Sequence, residues 1–511
     1  MNLHEIAQIA PSPRQLNWQR LEFYGFIHFG MNTMTGREWG EGHEDPALFD
    51  PDRLNADEWA ALLQASGMRA VILTCKHHDG FCLWPSRHSA HTVANAPWKG
   101  GRGDLVREVS DACRRRGLKF GVYLSPWDRT ESRYGEGAPY DDFYVNQLEE
   151  LLTGYGEVAC VWLDGANGEG PSGRRQQYDW DRYYDTVRRL QPDCVISVCG
   201  PDIRWVGNEA GETRAEEWSV VPAPLRDAEK TAEKSQQADD GAFSRSFESM
   251  EADLGSRQAI AAYDGDWVWY PAEVNTSIRP GWFYHAEEDD RVRGADELFR
   301  IYVNAVGGNA TFLLNVPPNA RGEIAAPDRA ALLGLGERIA RLQDDSLMRG
   351  AAFAVSGRAG AEDGLPAAVA DLSPLSAGAA VDASARAAGS GIFPWKPAAG
   401  EAEPWVEWSL PHAKSIDAVS LGEHLPAGQR IEQFEIRAWT ETEPDLAEGA
   451  ARDEERPAGT WVTVAQGSVV GYRRIVRFAP VLTAKLRVVF TGYREFPTLS
   501  HVQAHSLEAN E

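Results

Sequence analysis

Eight short apolar runs, spread through residues 23–316 and separated by stretches of helical periodicity, set the strongest limit on how this chain folds. They are FYGFIHFG (23–30), AVILTCKHH (70–78), LKFGVYLS (118–125), VACVWLDG (158–165), VISVCG (195–200), EEWSVV (216–221), WVWYPAEV (267–274) and TFLLNV (311–316). Several are apolar on both faces, as strands buried inside a parallel sheet are. Apolar residues at helical spacing predict helices over 55–66, 104–116, 140–153, 180–190, 296–306 and 328–342, with Asp104 and Asp296 as N-cap candidates. Strands alternating with helices in this way predict an α/β architecture, a (β/α)8 barrel with insertions over residues 1–345. A doubly wound open sheet is the runner-up, but HFGMNTMTG after the first run does not supply its Gly-rich phosphate turn.

The polar stretch 223–262 reads as a long loop with some helix. Past 345 the character changes. Residues 350–402 are rich in Ala, Gly and Ser, and short alternating runs follow: WVEWSL, IDAVSL, FEIRAW, WVTVAQ, YRRIVRF, KLRVVF and HVQAHSL. Turn residues between them predict an antiparallel β-sandwich as a second domain, 346–511, with a carbohydrate-binding character among its options.

A formal net charge of -25 argues against nucleic acid and against anionic membrane surfaces as partners. The start of the chain, MNLHEIAQIAPSPRQLNWQR, lacks a basic segment followed by an apolar core, and no apolar run is long enough to span a bilayer. Cys75, Cys82, Cys113, Cys160, Cys194 and Cys199 form no tight pair and read as reduced core thiols, so a cytoplasmic location is expected. The 18 tryptophans suit sugar rings and plain cores equally well.

A barrel of this kind carries its active site at the C-terminal ends of its strands. Polar and aromatic residues collect there: His28, His77 and His78, Tyr123 and Ser125, Trp162 and Asp164, Asp202 and Arg204, Glu216 and Glu217, Glu273, Arg279 and Trp282, and Asn315. His77 and His78 are adjacent, whereas two inward-pointing metal ligands on one strand need a spacing of two. Donors to separate hydroxyls fit them better, with satisfaction of loop backbone groups as the alternative for His78. Asp164 ends a strongly apolar strand, where a carboxylate must be partnered or functional; capping the following loop is its plainer role. Glu217 is the second carboxylate of choice, with Glu209, Glu212 and Glu216 as rivals. Two carboxylates from one rim serve glycoside hydrolysis, one attacking and one protonating the leaving oxygen. Glu38 and Trp39 offer a hydroxyl acceptor and a stacking face, or simple loop packing.

GFIHFGMNT, TCKHHDGFCLWPS, FGVYLSPWD, VWLDG, EWSVVP, WYPAEVNTSIRPGWFYH and LLNVPPNARGEI together resemble the α-L-fucosidases of glycoside hydrolase family 29, over roughly residues 15–345. WYPAEVNTSIRPGWFYH resembles the branch that prefers α-1,3/1,4-linked fucose in branched glycans. The resemblance implies a retaining, exo-acting hydrolase with Asp164 as nucleophile and Glu217 as acid/base. It implies hydroxyl contacts from His28, Glu38, Trp39, His77, His78 and Tyr123, an aromatic near the fucose methyl from Phe26, and further site residues at Trp162 and Arg204. Glu273, Arg279 and Trp282 are candidates for a second, branching sugar, with a Glu273–Arg279 ion pair as the structural alternative. The chemistry requires neither cofactor nor metal, and the partner is a fucosylated oligosaccharide. A glycan-binding protein without catalysis and a metal-dependent barrel hydrolase are the competing functions; turnover of an aryl fucoside and sensitivity to chelator separate them.

Overall fold

The computed structural model describes residues 1–235, 253–344, 346–359, 393–441 and 459–507. The chain divides into two compact units, Pro11–Val306 with Ala310–Ile339, and Met1–Ala10 with Gly307–Asn309 and Ala340–Glu511. The division falls a few residues before 345 and takes two short N-terminal and mid-chain pieces into the second unit.

The first unit is built on β1 (Phe23–Ile27), β2 (Ala70–Lys76), β3 (Lys119–Leu124), β4 (Cys160–Leu163), β5 (Val195–Val198), β6 (Arg204–Trp205), β7 (Val220–Pro222), β8 (Trp267–Trp269), β9 (Ala272–Ser277) and β10 (Thr311–Asn315). Eight of these form one sheet in the order β5-β4-β3-β2-β1-β10-β9-β6. Every pairing in it is parallel. A bridge between Ser197 and Ile203 links its two ends, so the sheet is a nearly closed barrel. The strand interiors are buried almost without exception.

The sixth strand is not the run 216–221. Arg204 and Trp205 take that place beside Ala272 and Glu273 of β9. Of the 216–221 run only its end joins a strand: β7 pairs antiparallel with β8 outside the barrel. The run 267–274 is likewise split in two, with Tyr270 and Pro271 between β8 and β9. Pro271 has no N–H for a ladder, so a break at that point is expected of the backbone.

The predicted helices are present, as Ala56–Ala65, Leu105–Arg116, Ala138–Gly154, Trp180–Leu190, Ala295–Val306 and Ala326–Gln343. The second of them is typical. Asp104 caps it by accepting from the Arg107 N–H at 2.9 Å, three arginines close its last turn, and Gly117 ends it in the left-handed region at φ 69°. Asp296 lies inside the first turn of its helix rather than at the cap. Helices Ala228–Ser235 and Arg257–Ala262 occupy parts of the polar stretch 223–262, and residues 236–252 lie outside the described residues.

In the second unit β11 (Ala352–Val355), β12 (Trp405–Glu423), β13 (Ile431–Glu441), β14 (Gly459–Ser468), β15 (Arg474–Tyr493) and β16 (Leu499–His505) form one antiparallel sheet. The runs WVEWSL and IDAVSL, expected as separate strands, are the two halves of β12, and YRRIVRF and KLRVVF merge into β15. Register shifts between Ser409 and Lys414 and between Ile416 and Ala418 reset the alternation, so that Val406, Trp408 and Leu410 before them, and Val419 and Leu421 after them, enter one core. Asn309 belongs with this unit because its side-chain oxygen accepts from the Tyr472 N–H at 2.7 Å. Residues 360–392 of the Ala/Gly/Ser-rich segment lie outside the described residues.

Candidate active site

The C-terminal ends of β1 to β4 bring one group of side chains together. Asp164, the first residue past β4, is about one-fifth exposed. Its Oδ2 accepts from the Tyr123 hydroxyl at 2.8 Å and its Oδ1 from the Ala166 N–H at 2.8 Å. His78 Nε2 stands 3.8 Å from the same Oδ2. The carboxylate is therefore held in one orientation by two donors while part of it faces open space.

His77 and His78 lie beyond the end of β2, where strict strand alternation no longer applies, and both rings turn to the site. Their centroids are 4.1 Å apart. His78 Nδ1 is 2.7 Å from Ser125 Oγ, and His28 Nδ1 is 2.9 Å from Asn315 Oδ1. His77 stacks on Tyr123 at 5.6 Å, and its Nδ1 is buried with no hydrogen-bond partner among the described residues. Burial pushes His28 down to about 3 and His78 to about 4, and carries His77 well below the ordinary imidazole value. All three rings are neutral near pH 7, each with one donor and one acceptor nitrogen.

Phe26 lies at the centre of this cluster, with ring centroids 4.4 Å from His28, 5.1 Å from Trp162 and 5.7 Å from Tyr123. Trp282 closes one side, 5.1 Å from His28 and 6.3 Å from Phe26. Trp39 stands on the other, near Trp127 and His78. Glu38 ties the two sides together. It accepts from the Trp282 and Phe283 N–H groups at 2.8 and 3.2 Å and lies 2.9 Å from His285 Nε2. Its oxygens are largely committed to the 282–285 loop, which makes it a clamp on that loop rather than a bare sugar acceptor.

Four expected site residues are not in this group. Glu217 is fully buried and ion-paired to Arg204 and Arg214. Arg204 is thereby committed to Glu217, and its Nε also points to the Tyr270 carbonyl at 3.4 Å. Arg279 is buried against Asp328, with Asp289 as its second partner. Glu273 does not meet Arg279; its carboxylate sits inside the barrel and accepts from Tyr24 at 2.5 Å, Trp162 at 2.8 Å and Ser197 at 3.3 Å. Each is a sealed polar network, without the open position a substrate needs. Glu216 is exposed.

The second carboxylate near Asp164 is Glu209. The Trp282 indole donates to its Oε2 at 3.2 Å. Burial, with the charges of Asp164 and Glu38, pushes its carboxyl up to about 8. The loop that carries it is a turn with a legible chemistry: Asn208 Oδ1 accepts from the Ala210 and Glu212 N–H groups, and Gly207 and Gly211 take positive φ on either side. Sequence spacing alone leaves Glu209 as one rival among three. The GNEAG turn was the signal for it, since turn chemistry of this kind presents the residue at its centre.

The chain is similar to known proteins over nearly all of its length. A family profile described as Alpha-L-fucosidase matches residues 15–342. Alpha-L-fucosidase 1 of Arabidopsis thaliana is 36% identical over 504 residues, covering 96% of this chain and 86% of that protein. Among solved structures, a candidate alpha-L-fucosidase from Bacteroides ovatus is 38% identical with a TM-score of 0.79, covering 100% of this chain and 77% of that one. A GH29 fucosidase from Ruminococcus gnavus, solved in complex with fucose, is 26% identical with a TM-score of 0.75, covering 98% and 95%. With this match and this barrel, the chain belongs to the alpha-L-fucosidases of glycoside hydrolase family 29.

Proposed function

We propose that this fucosidase works with retention of configuration, Asp164 as nucleophile and Glu209 as acid/base. One observation carries the reading: an oriented, partly open carboxylate at the end of β4 has in its neighbourhood a second carboxyl that burial and that same charge keep protonated up to about pH 8. Asp164 attacks the anomeric carbon while Glu209 gives its proton to the departing glycosidic oxygen. The resulting glycosyl ester is opened by a water that Glu209, now anionic, deprotonates. Tyr123 and the Ala166 N–H keep the Asp164 oxygens aimed between the two steps. The neutral His28, His77 and His78 donate to or accept from fucose hydroxyls, and Trp39 borders them. Phe26 receives the C6 methyl, which discriminates against a 6-hydroxyl by about 1–3 kcal/mol. Trp162 forms part of the pocket floor.

The substrate we propose is a terminal α-1,3/1,4-linked fucose on a branched oligosaccharide. Support for the linkage is the resemblance of WYPAEVNTSIRPGWFYH and the half-buried Trp282 at the pocket edge. Glu273 and Arg279 lend it none, since both are committed elsewhere.

The leaving group tests the acid. Glu209→Ala should cost little on a fucoside of a strongly acidic phenol, which leaves without help, and on the order of 10²–10⁴-fold on a natural glycan. If Glu209→Ala lost equal activity on both while a folded Glu217→Gln lost only the poor leaving group, the two glutamates would exchange roles.

A further inference from the structure

Among the described residues, one set of side chains gathers metal-ligand atoms outside the catalytic cluster. Glu44, Asp79 and His91 each turn one such atom to a common point, all within 4.8 Å of one another. They come from three separate segments, the turn after Trp39, the turn after His78, and the loop 85–92.

Each of the two carboxylates has one oxygen already fixed by the protein. Glu44 Oε1 accepts from the Glu41 and Gly42 N–H groups at 2.5 and 3.2 Å. Asp79 Oδ1 accepts from the Phe81 N–H at 2.7 Å. The His91 backbone is held by Ser89 and Cys82, and its ring lies edge-on to Phe81. What is left over is telling. Among the described residues, Glu44 Oε2 and His91 Nε2 are both buried and both lack a hydrogen-bond partner, although they stand only 3.8 Å apart. Asp79 is almost wholly buried. A buried imidazole nitrogen and a buried carboxylate oxygen without partners cost free energy on their own. The other charges that bear on them do not relieve this: Asp128 is already paired with Lys76, and His43 is exposed.

We propose that Glu44, Asp79 and His91 bind a divalent cation of the zinc type, with water completing the shell, and that this ion clips the loop carrying Glu38 and Trp39 to the turn that follows His77 and His78. One imidazole nitrogen with two carboxylate oxygens is a donor set for zinc rather than for calcium or magnesium. Zinc bonds of about 2.0–2.2 Å place tetrahedral ligand atoms roughly 3.4 Å apart, so the three atoms need to close by on the order of 1 Å. The ion's place is structural. His77 and His78 take no part in it, and the hydrolytic scheme draws no proton from it.

The test uses the full-length protein, stripped with EDTA, dialysed, and titrated with zinc chloride by calorimetry, with elemental analysis of the product. One equivalent per chain is expected, together with a rise in melting temperature on zinc addition. His91→Gln and Glu44→Gln should each weaken uptake by at least about 10-fold, and His43→Ala, a neighbouring exposed histidine, should leave it unchanged. Absence of stoichiometric uptake by the wild-type protein would overturn the proposal, because that measurement does not depend on any variant folding. Equal affinity in wild type, His91→Gln and Glu44→Gln would overturn it too, by moving the zinc to another place.

Discussion

Asp164→Asn changes one oxygen to nitrogen and leaves the Tyr123 and Ala166 donors facing a side chain of the same shape. Folding and fucose affinity should survive, since binding is spread over several hydroxyl contacts, while kcat falls by at least about 10³-fold. Azide should restore turnover to Asp164→Gly and yield the β-fucosyl azide, which NMR identifies; an α product would speak against Asp164 as the attacking group. His77→Ala and His78→Ala should each raise KM for fucosides by about 10-fold, the worth of one buried hydrogen bond, with the fold intact by circular dichroism. The pH profile of kcat/KM reports the acid. Glu209 must carry its proton to act, and its carboxyl is raised to about 8, so activity should hold through neutrality and fall above about pH 8. Glu209→Gln should abolish that basic limb. If Glu209 is the acid, Glu217 serves stability: Glu217→Gln leaves Arg204 and Arg214 buried with one carboxylate fewer and should cost about 3–5 kcal/mol in denaturant unfolding.

At the scale of the element, Glu273 is the informative residue, because one carboxylate on β9 gathers donors from β1, β4 and β5. Burial raises it from 4.5 to about 7. The folded state then holds a proton that the unfolded state has released, so stability falls as pH climbs from about 4.5 to about 7, by on the order of 3 kcal/mol. Glu273→Gln carries no such proton. Denaturant unfolding at pH 5 and pH 8 should show a smaller pH difference in the variant than in the wild type; an unchanged difference would place the titration elsewhere. The same strand explains what the sequence concealed. Seven barrel strands stood out as apolar runs, but β6 is two residues long and one of them is arginine, so no periodicity marks it. The run 216–221 looked like a strand because Trp218, Val220 and Val221 are buried, yet they are buried outside the barrel, where β7 meets β8. Burial leaves an apolar pattern whichever layer provides it. Asp164, the histidines, Phe26 and Tyr123 were legible because strand ends fix where they point. The proposed acid, Glu209, was not, because it rides on a turn whose reach depends on tertiary packing.

Across the whole molecule, all the residues assigned to chemistry come from the barrel unit, and no helix among the described residues is long and apolar enough to cross a membrane. Substrate choice beyond fucose then depends on what the rim of that barrel leaves reachable. Of the three residues expected to meet a branching sugar, Glu273 and Arg279 are fully buried and partnered, and Trp282 alone stays partly open. Its indole N–H is engaged with Glu209 and its ring meets Phe26 edge-on and His28 at a tilt, so it borders both the proposed acid and the proposed fucose pocket. A second sugar stacked on the outer face of that ring would supply binding energy remote from the bond that breaks, and would raise kcat/KM only when present. The enzyme should therefore prefer Lewis-type trisaccharides over 2′-fucosyllactose and be slow on nitrophenyl fucoside. Trp282→Ala should lower kcat/KM on the trisaccharide by about 10-fold or more beyond its loss on the aryl fucoside, the margin being the stacking that the aryl substrate never had. Equal losses on both substrates would mean that Trp282 acts through Glu209 and the fucose pocket alone, and the linkage preference would then have to come from other residues of the rim.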